Sequence, residues 1–570
     1  MGLLITLNGS PHIRYYDTLA SGANVSLPGG VTNNAYRPTF GWYQGKVYIT
    51  GQFSENLIVT ISAGVATAYK MGLAKPVGTP FTLAAQGAGI TGFCYGKITY
   101  VQKIGTDTII ESEGSDQFGG VMLTNQGRRW SGFPAVSPDA RITHARGYVS
   151  VDGSEFFAAW ELASASFFGV ANYDEAIATA ALGALLPENS GFPTETKTTR
   201  FCEVYHDRMW YASSTNNKYR IWFSEVGQPE SVGVFSFFDT RDGEQITGMK
   251  RLRDQLIIFC RRSTYAVQGF GPQDFVISKI SQDIGCVSAH SVVNIYDRLW
   301  FAGSDGVYLY DGGFKLLTEN LNQFYKDSYA SRAVAFENAI AVNDLYRNVY
   351  KLLLDQGGSP YHKSWCGHYL NFEPSIGGTR TQPDWSFDIR ARQDNTHANY
   401  YSNTAGEQII TGSTDGHVRF ENVYSNSDDD GDSYGKSLTI VTPHYFMGEP
   451  GGDAEEGKTF SRIWTYVECD GSAWILRLLG GDEAAGGQLI TSPAVWTDNV
   501  PASILTRVIG GSTYYYLPKS VHVHVPDKLS GRGLTLMIVA ASPVGFVYRG
   551  FGGIWGPGPI TRGYTHTTTP

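Results

Sequence analysis

The sequence predicts an all-β fold, and three observations predict it. Turn-forming and strand-forming residues dominate the composition, a short turn-and-strand pattern recurs along the chain, and stretches of helix-forming composition are few. The chain has 570 residues, of which 67 are glycine and 13% are aromatic. Glycine supplies turns with positive φ, and Tyr, Phe and Trp suit the pleated surface of a strand. Hydrophobic residues make up 42% and charged residues 17%, a balance that favours a buried globular protein over long disorder.

The recurring pattern is a turn pair, a polar residue and an alternating aromatic and aliphatic strand. It reads Gln44-Gly45-Lys46-Val47-Tyr48-Ile49, then Tyr95-Gly96-Lys97-Ile98-Thr99-Tyr100, then more weakly Arg146-Gly147-Tyr148-Val149-Ser150-Val151. The best copies are His206-Asp207-Arg208-Met209-Trp210-Tyr211, Arg253-Asp254-Gln255-Leu256-Ile257-Ile258 and Tyr296-Asp297-Arg298-Leu299-Trp300-Phe301. A degenerate copy at Phe336–Ala341 and a last one at Asp415–Phe420 extend the series. Copies lie roughly 40–60 residues apart, the spacing of a four-stranded blade. After Phe301 the turns Ser304-Asp305-Gly306 and Asp311-Gly312 bracket Val307-Tyr308-Leu309-Tyr310, and Asp-Gly between apolar runs signals a hairpin. A blade cannot bury both faces alone, so repetition of this unit predicts a multi-bladed β-propeller of about seven blades. A β-helix would repeat over a shorter period, and a series of sandwiches would not hold one motif in register.

The organisation that follows is an N-terminal segment (1–30), a propeller (31–425), a linker (426–436), a C-terminal β-sandwich (437–550) and an extended arm (551–570). The linker is the polar, turn-rich stretch from Ser425 to Gly435. Beyond it, alternating strands are expected at Ser461–Cys469, Ala473–Leu479, Ser520–Val525 and Leu534–Ala540. Helices are expected only at 173–186, which is alanine-rich with an acidic first turn, and at 317–329 with Thr318 as N-cap.

Charge and cysteine usage narrow the function. The net charge is −9, the opposite of what a phosphate-gripping protein needs overall. The six cysteines (Cys94, Cys202, Cys260, Cys286, Cys366 and Cys469) form no CxxC and read as free thiols of a reducing compartment. The first residues lack a basic run before their apolar stretch, so no signal peptide is expected, and no membrane insertion is expected either.

Motifs that could carry chemistry fail on context. Gly87-Ala-Gly89-Ile-Thr-Gly92 matches a dinucleotide fingerprint, but a strand rather than a helix is expected to follow it. Gly431-Asp432-Ser433-Tyr434-Gly435 matches a nucleophile elbow, but Asp428-Asp429-Asp430 precedes it where a buried strand is required. Asp428, Asp430 and Asp432 have the spacing of Ca²⁺ ligands, but Thr439 occupies the place of the closing glutamate, and a solvated turn is the better reading. His362, Cys366 and His368 lack a nearby fourth zinc ligand. Ser304-Asp305-Gly306 and Ser413-Thr414-Asp415-Gly416 touch the sialidase turn pattern without its tryptophan. The sequence therefore nominates no catalytic residue, no cofactor and no metal site, and the expectation is a protein that is not an enzyme.

Four stretches carry a family resemblance: Arg208–Ala212 leading to Ile221–Glu230, Gln255–Val267, Asp283–Val292 and Arg298–Gly312. They resemble the β-propeller structural proteins of tailed bacteriophages, above all the tail nozzle or hub proteins of short-tailed phages of the packaged-DNA stabilisation type. The resemblance is firm over about 200–315 and general elsewhere. It implies a homo-oligomeric, hexameric ring below portal and adaptor that extends the DNA ejection channel. It also implies docking of a tail fibre or spike and a tail needle, passage of viral DNA without tight binding, and assembly in the host cytoplasm into the virion tail. The alternative is a propeller tail protein that binds or degrades glycans.

Overall fold

The computed structural model describes residues 21–34, 36–187 and 191–323 continuously, with 3–7, 12–18 and parts of 325–354, and beyond these chiefly strand segments. The chain forms two compact units, Met1–Val418 and Arg419–Pro570. The expected linker 426–436 lies outside the described residues.

The first unit is a succession of antiparallel sheets in chain order. Four-stranded meanders span 39–70, 201–239, 246–281, 293–316 and 340–391, and three-stranded sheets span 3–25 and 395–420. Residues 3–25, which the sequence reading set apart as a terminal segment, thus form a sheet of their own. Their Ile13, Tyr15 and Val25 pack on Val47, Ile49, Leu57 and Val59 of the next sheet.

The second strand of each meander explains why sheets stack face to face. Arg208–Ala212 is buried at every residue. Its side chains alternate between two layers, as strand geometry requires. Met209 and Tyr211 meet Tyr48 and Ile58 of sheet 39–70. Trp210 and Ala212 meet Leu256 and Ile258 of sheet 246–281. The same alternation carries forward: Ile257 and Phe259 meet Leu299 and Phe301. Trp300 and Ala302 then meet Tyr350 and Leu352, and Leu353 with Ile340 and Val342 meets Ile409. Apolar runs such as Met209-Trp-Tyr-Ala212 are therefore strands with two buried faces, the packing of propeller blades.

The repeated turn pairs sit where first and second strands join. Tyr43 pairs with Lys46, Tyr205 with Arg208, Leu252 with Gln255 and Ile295 with Arg298, leaving two-residue loops. Positive φ at Gln44 (48°) and Gly45 (73°), His206 (49°) and Asp207 (52°), and Tyr296 (50°) and Asp297 (57°) is the backbone of type I′ turns. The hairpins are tied in series across sheets. The Tyr43 hydroxyl donates to the Asp207 carbonyl at 3.0 Å and the Tyr205 hydroxyl to the Asp254 carbonyl at 2.7 Å. An Arg253 guanidinium N–H donates to the Asp297 carbonyl at 3.2 Å.

Several sequence expectations are corrected. The copies at 95–100 and 146–151 are not blades. Both lie within strands of one six-stranded sheet over 82–175, inserted between sheets 39–70 and 201–239, and they pair with each other (Gly96 with Val149, Ile98 with Gly147). Gly147 is glycine for close packing, since a Cβ there would lie 2.0 Å from the Trp160 ring. The copy at 336–341 leads into a first strand, Ile340–Asp344, instead of joining two strands. The copy at 415–420 falls between second and third strands, Gly406–Ser413 and Val418–Phe420.

The helix expected at 173–186 is a strand, Asn172–Glu175, followed by a 3-10 turn at Thr179–Ala181. Pairing with 128–131 and capture of the Glu175 carboxylate by Arg128 outweigh helix propensity there. The helix expected at 317–329 starts as a 3-10 turn, Glu319–Leu321, and is helical at 322–323 and 325–326. Thr318 does not cap it; its hydroxyl accepts from the Val307 N–H at 3.1 Å instead.

The second unit is also antiparallel. One sheet joins Ser437–Val441, Gly533–Ala541, Trp474–Gly481 and Ala494–Val500, with Tyr445–Phe446 added to Gly533–Ala541. Another joins Val521–His524, Lys458–Glu468, Ser530–Gly531 and Val547–Pro557. The expected arm is corrected over its first residues, because Val547–Pro557 pairs with Lys458–Glu468 as an antiparallel strand with two register shifts.

Candidate functional site

The motifs set aside on sequence grounds fall as follows. Gly87–Gly92 lies inside the strand Thr82–Ile104, so no helix N-terminus follows it. Asp305 lies in a turn and accepts from the Tyr308 hydroxyl at 2.7 Å. His362, Cys366 and His368 share the strand Tyr361–His368, whose side chains lie outside the described set. Residues 414–417, Asp428–Asp432 and Gly431–Gly435 also lie outside it. Among the described residues no group of three or more His, Cys, Asp or Glu could hold a metal.

Interior charges are engaged structurally. Arg128 holds Glu175 through two bonds of 2.5 and 3.1 Å, and the same carboxylate accepts from Trp130 Nε1 at 3.2 Å and the Ile177 N–H at 2.8 Å. Glu111 accepts from the hydroxyls of Thr99 and Tyr148, both at 2.6 Å, and from Arg146 at 2.8 Å. Burial, with Glu111 beside it, raises the Tyr148 phenol well above its ordinary pKa, so it stays a neutral donor. Arg141 binds Glu230 at 2.8 Å, Asp139, and the Lys70 and Gly72 carbonyls, locking the inserted sheet to its neighbours. Carboxylates with this many donors are satisfied buried charges.

The thiols are equally inert. Cys94, Cys202, Cys260 and Cys286 are free and buried. Burial pushes the Cys202, Cys260 and Cys286 thiols up to about 12. A thiol reagent at pH 8 is therefore expected to label at most two of the six cysteines in native protein and all six in guanidinium, because only thiolates react. A third fast-reacting thiol in the native state would contradict this packing.

What remains distinctive are the two ends of the sheet stack. At the hairpin end large apolar side chains stand in solvent: Trp42 is 64% exposed, Phe270 73%, Tyr296 69% and Phe235 89%. The turn residues Asp207, Asp254 and Asp297 lie among them, and His206 rests on the Phe270 ring at 4.7 Å. At the opposite end, where first strands begin, the chain brings arginines together. Arg37 precedes Thr39–Tyr43 and donates to the carbonyl of Asn338, which precedes Ile340–Asp344. The neighbouring Glu337 pairs with Arg261, in the turn between Gln255–Cys260 and Thr264–Gln268. Arg200, just before Phe201–Tyr205, lies over the Tyr36 ring at 3.9 Å. Sheets 39–70 and 340–391 do not follow one another in chain order, so the Arg37–Asn338 contact joins two non-consecutive sheets at this end. Sequence reasoning missed this cluster. Its only trace is an arginine one or two residues before two of the first strands.

No protein-family model matches the chain, and no curated protein matches it. Among solved structures, it is similar to the β-propeller domain of the trilobed protease from Pyrococcus furiosus, at 8% identity over 68% of this chain and 93% of that chain, with a TM-score of 0.25. PorZ, from the type-IX secretion system of Porphyromonas gingivalis, is matched at 12% identity over 73% of this chain and 58% of that one (TM-score 0.26). The extracellular domain of the two-component system BT4673 from B. thetaiotaomicron is matched at 9% over 87% and 62% (TM-score 0.29). The chain thus spans less than two thirds of the length of the last two. At these TM-scores none of the similarities bears on function.

Proposed function

We propose that this chain is a structural component of a virion tail, the nozzle of a short-tailed phage. Six copies form a ring that prolongs the DNA ejection channel below portal and adaptor and docks a fibre or spike and a needle. The first unit is a seven-bladed propeller, counting both three-stranded sheets as blades, and the two main sheets of the second unit form a sandwich.

The observation that carries this reading is how the family-resembling stretches are used. Residues 208–212, 255–260 and 298–302 fill two-sided blade layers, and their turns present an apolar and acidic end. Such a scaffold spends its distinctive residues on rigidity and on a docking surface. Acidic turns and a net charge of −9 suit a conduit that releases DNA. The Arg37–Asn338 contact, which joins two non-consecutive sheets at one end, favours a conduit between chains over one through each propeller.

Antibodies against residues 437–570, applied to intact particles under the electron microscope, are expected to label only the tip of a short tail. Label on fibres, or none on particles, would overturn the reading. One observation favours a second reading: exposed Trp42 and Tyr296 offer ring faces on which a sugar could stack. Glycan binding or sugar release by the isolated chain would favour that glycan-directed tail protein.

A further inference from the structure

We propose that the two-stranded ribbon at the middle of the inserted sheet is where copies of this chain join, the edge of one ribbon adding to the edge of the next. The ribbon is formed by the long strand Thr82–Ile104 and its partner Phe118–Ser131. Asn172–Glu175 pairs with the second of these only over 128–131. His144–Ser150 pairs with the first only over 95–101. Between those limits the two strands pair with each other alone. Among the described residues neither Gly119–Gln126 nor Ile90–Cys94 has a strand on its outer side. The outer backbone groups of such an edge are a template for a further strand. Proteins guard free edges with charges and prolines, and residues 82–96 and 118–127 contain neither. Two bulges shorten the edge and leave Val121–Leu123, opposite Gly92–Cys94, as its regular stretch. There Cys94 and Leu123 are buried, whereas Met122 and Phe93, directly opposite each other, are each 52% exposed.

The edges and the charge identify the occupant. The two free edges lie on opposite sides of one ribbon and belong to antiparallel strands. Ribbons set side by side, Val121–Leu123 of one copy along Gly92–Cys94 of the next, therefore continue the antiparallel order. Each copy offers one edge and accepts on the other, a head-to-tail contact of the kind that closes into a ring. The same arrangement brings Met122 of one copy beside Phe93 of the next and withdraws both from water. Copies that each carry a net charge of −9 repel, and contact between them costs least where no charge lies. A basic partner would meet no carboxylate on this ribbon, and an acidic partner no cation. Arg141 ties the inserted sheet to Glu230 and to the Lys70 and Gly72 carbonyls, so the ribbon stands on a fixed base. The inference rests on the reading that copies assemble into a ring, and it names the joint.

The test uses the full chain. Sedimentation velocity over a range of concentrations is expected to show self-association into a closed oligomer of defined size. Met122→Lys places like charges at every joint and is expected to weaken association by about tenfold or more, with the unfolding temperature of the single chain unchanged. Phe93→Lys is expected to do the same from the other side of the joint. Protein carrying Met122→Cys, mixed with protein carrying Phe93→Cys and mildly oxidised, is expected to form an intermolecular disulfide that neither forms alone. A disulfide formed by Met122→Cys alone would show ribbons meeting about a two-fold axis and would overturn the head-to-tail joint. An oligomer that survives both lysine variants would overturn the joint and leave the ring reading standing. A single chain at every concentration would overturn both. A ribbon-dependent oligomer without antibody label at the tail tip would uphold the joint and sink the nozzle reading.

Discussion

Trp210→Ala is expected to destabilise the first unit by about 3–5 kcal/mol, the range for emptying a large aromatic site in a packed core. Trp210 is fully buried between sheets 201–239 and 246–281. Its ring lies 5.2 Å from Phe223 and 5.1 Å from Phe275, and its Nε1 donates to the Tyr205 carbonyl at 3.2 Å. Three costs coincide: lost apolar contact, a void flanked by rigid rings, and a carbonyl without its donor. Tyr205 also anchors the next hairpin through Asp254, so the defect is expected to spread along the stack. Denaturant titration followed by near-ultraviolet circular dichroism measures it. Trp42→Ala, at a solvent-exposed ring, is the matched control, and the packing account fails if both variants shift the midpoint equally.

Glu175→Ala is expected to act as strongly by a different route. It leaves the Arg128 guanidinium, almost wholly buried, without a counter-charge, and breaking a buried pair from one side costs about 3–5 kcal/mol. Trp130 Nε1 and the Ile177 N–H lose their acceptor in the same step. The neighbouring pair Arg129–Asp174 is the control, since it is partly exposed and Asp174→Ala should cost far less than Glu175→Ala. Hydrogen exchange separates the two sites. Glu175→Ala should expose amides of 82–175, which has its own core around Ile98, Trp130 and Trp160, and spare those of 246–316. Loss of protection throughout 246–316 would show that the inserted sheet is not an independent unit.

The contrast between true and false repeats shows how far local pattern reaches. Copies at 44–49, 206–211, 253–258 and 296–301 are hairpins whose turns need positive φ, and residues such as Asp207 and Gly45 signal that need locally. Copies at 95–100 and 146–151 carry the same letters but lie in mid-strand, paired with each other. A glycine before an alternating run serves equally for a turn and for close packing against Trp160. Partner choice, which is non-local, decides between them. The same holds for 173–186, where alanine content favours a helix and the Arg128–Glu175 pair draws the chain into a sheet edge.

The sequence by itself determined the all-β class, the meander unit, the burial of both faces of strands such as Arg208–Ala212, and the start of regular strands after the polar stretch near Ser425, because these follow from side-chain period and turn chemistry. Only the tertiary structure decided which hairpins are successive sheets, that residues 82–175 form an inserted sheet, and that Arg37 reaches Asn338 and Arg261 reaches Glu337 at one end. These depend on contacts between residues from 47 to 301 positions apart. Strand periodicity states which face a side chain takes, but carries no information about which distant strand will cover it.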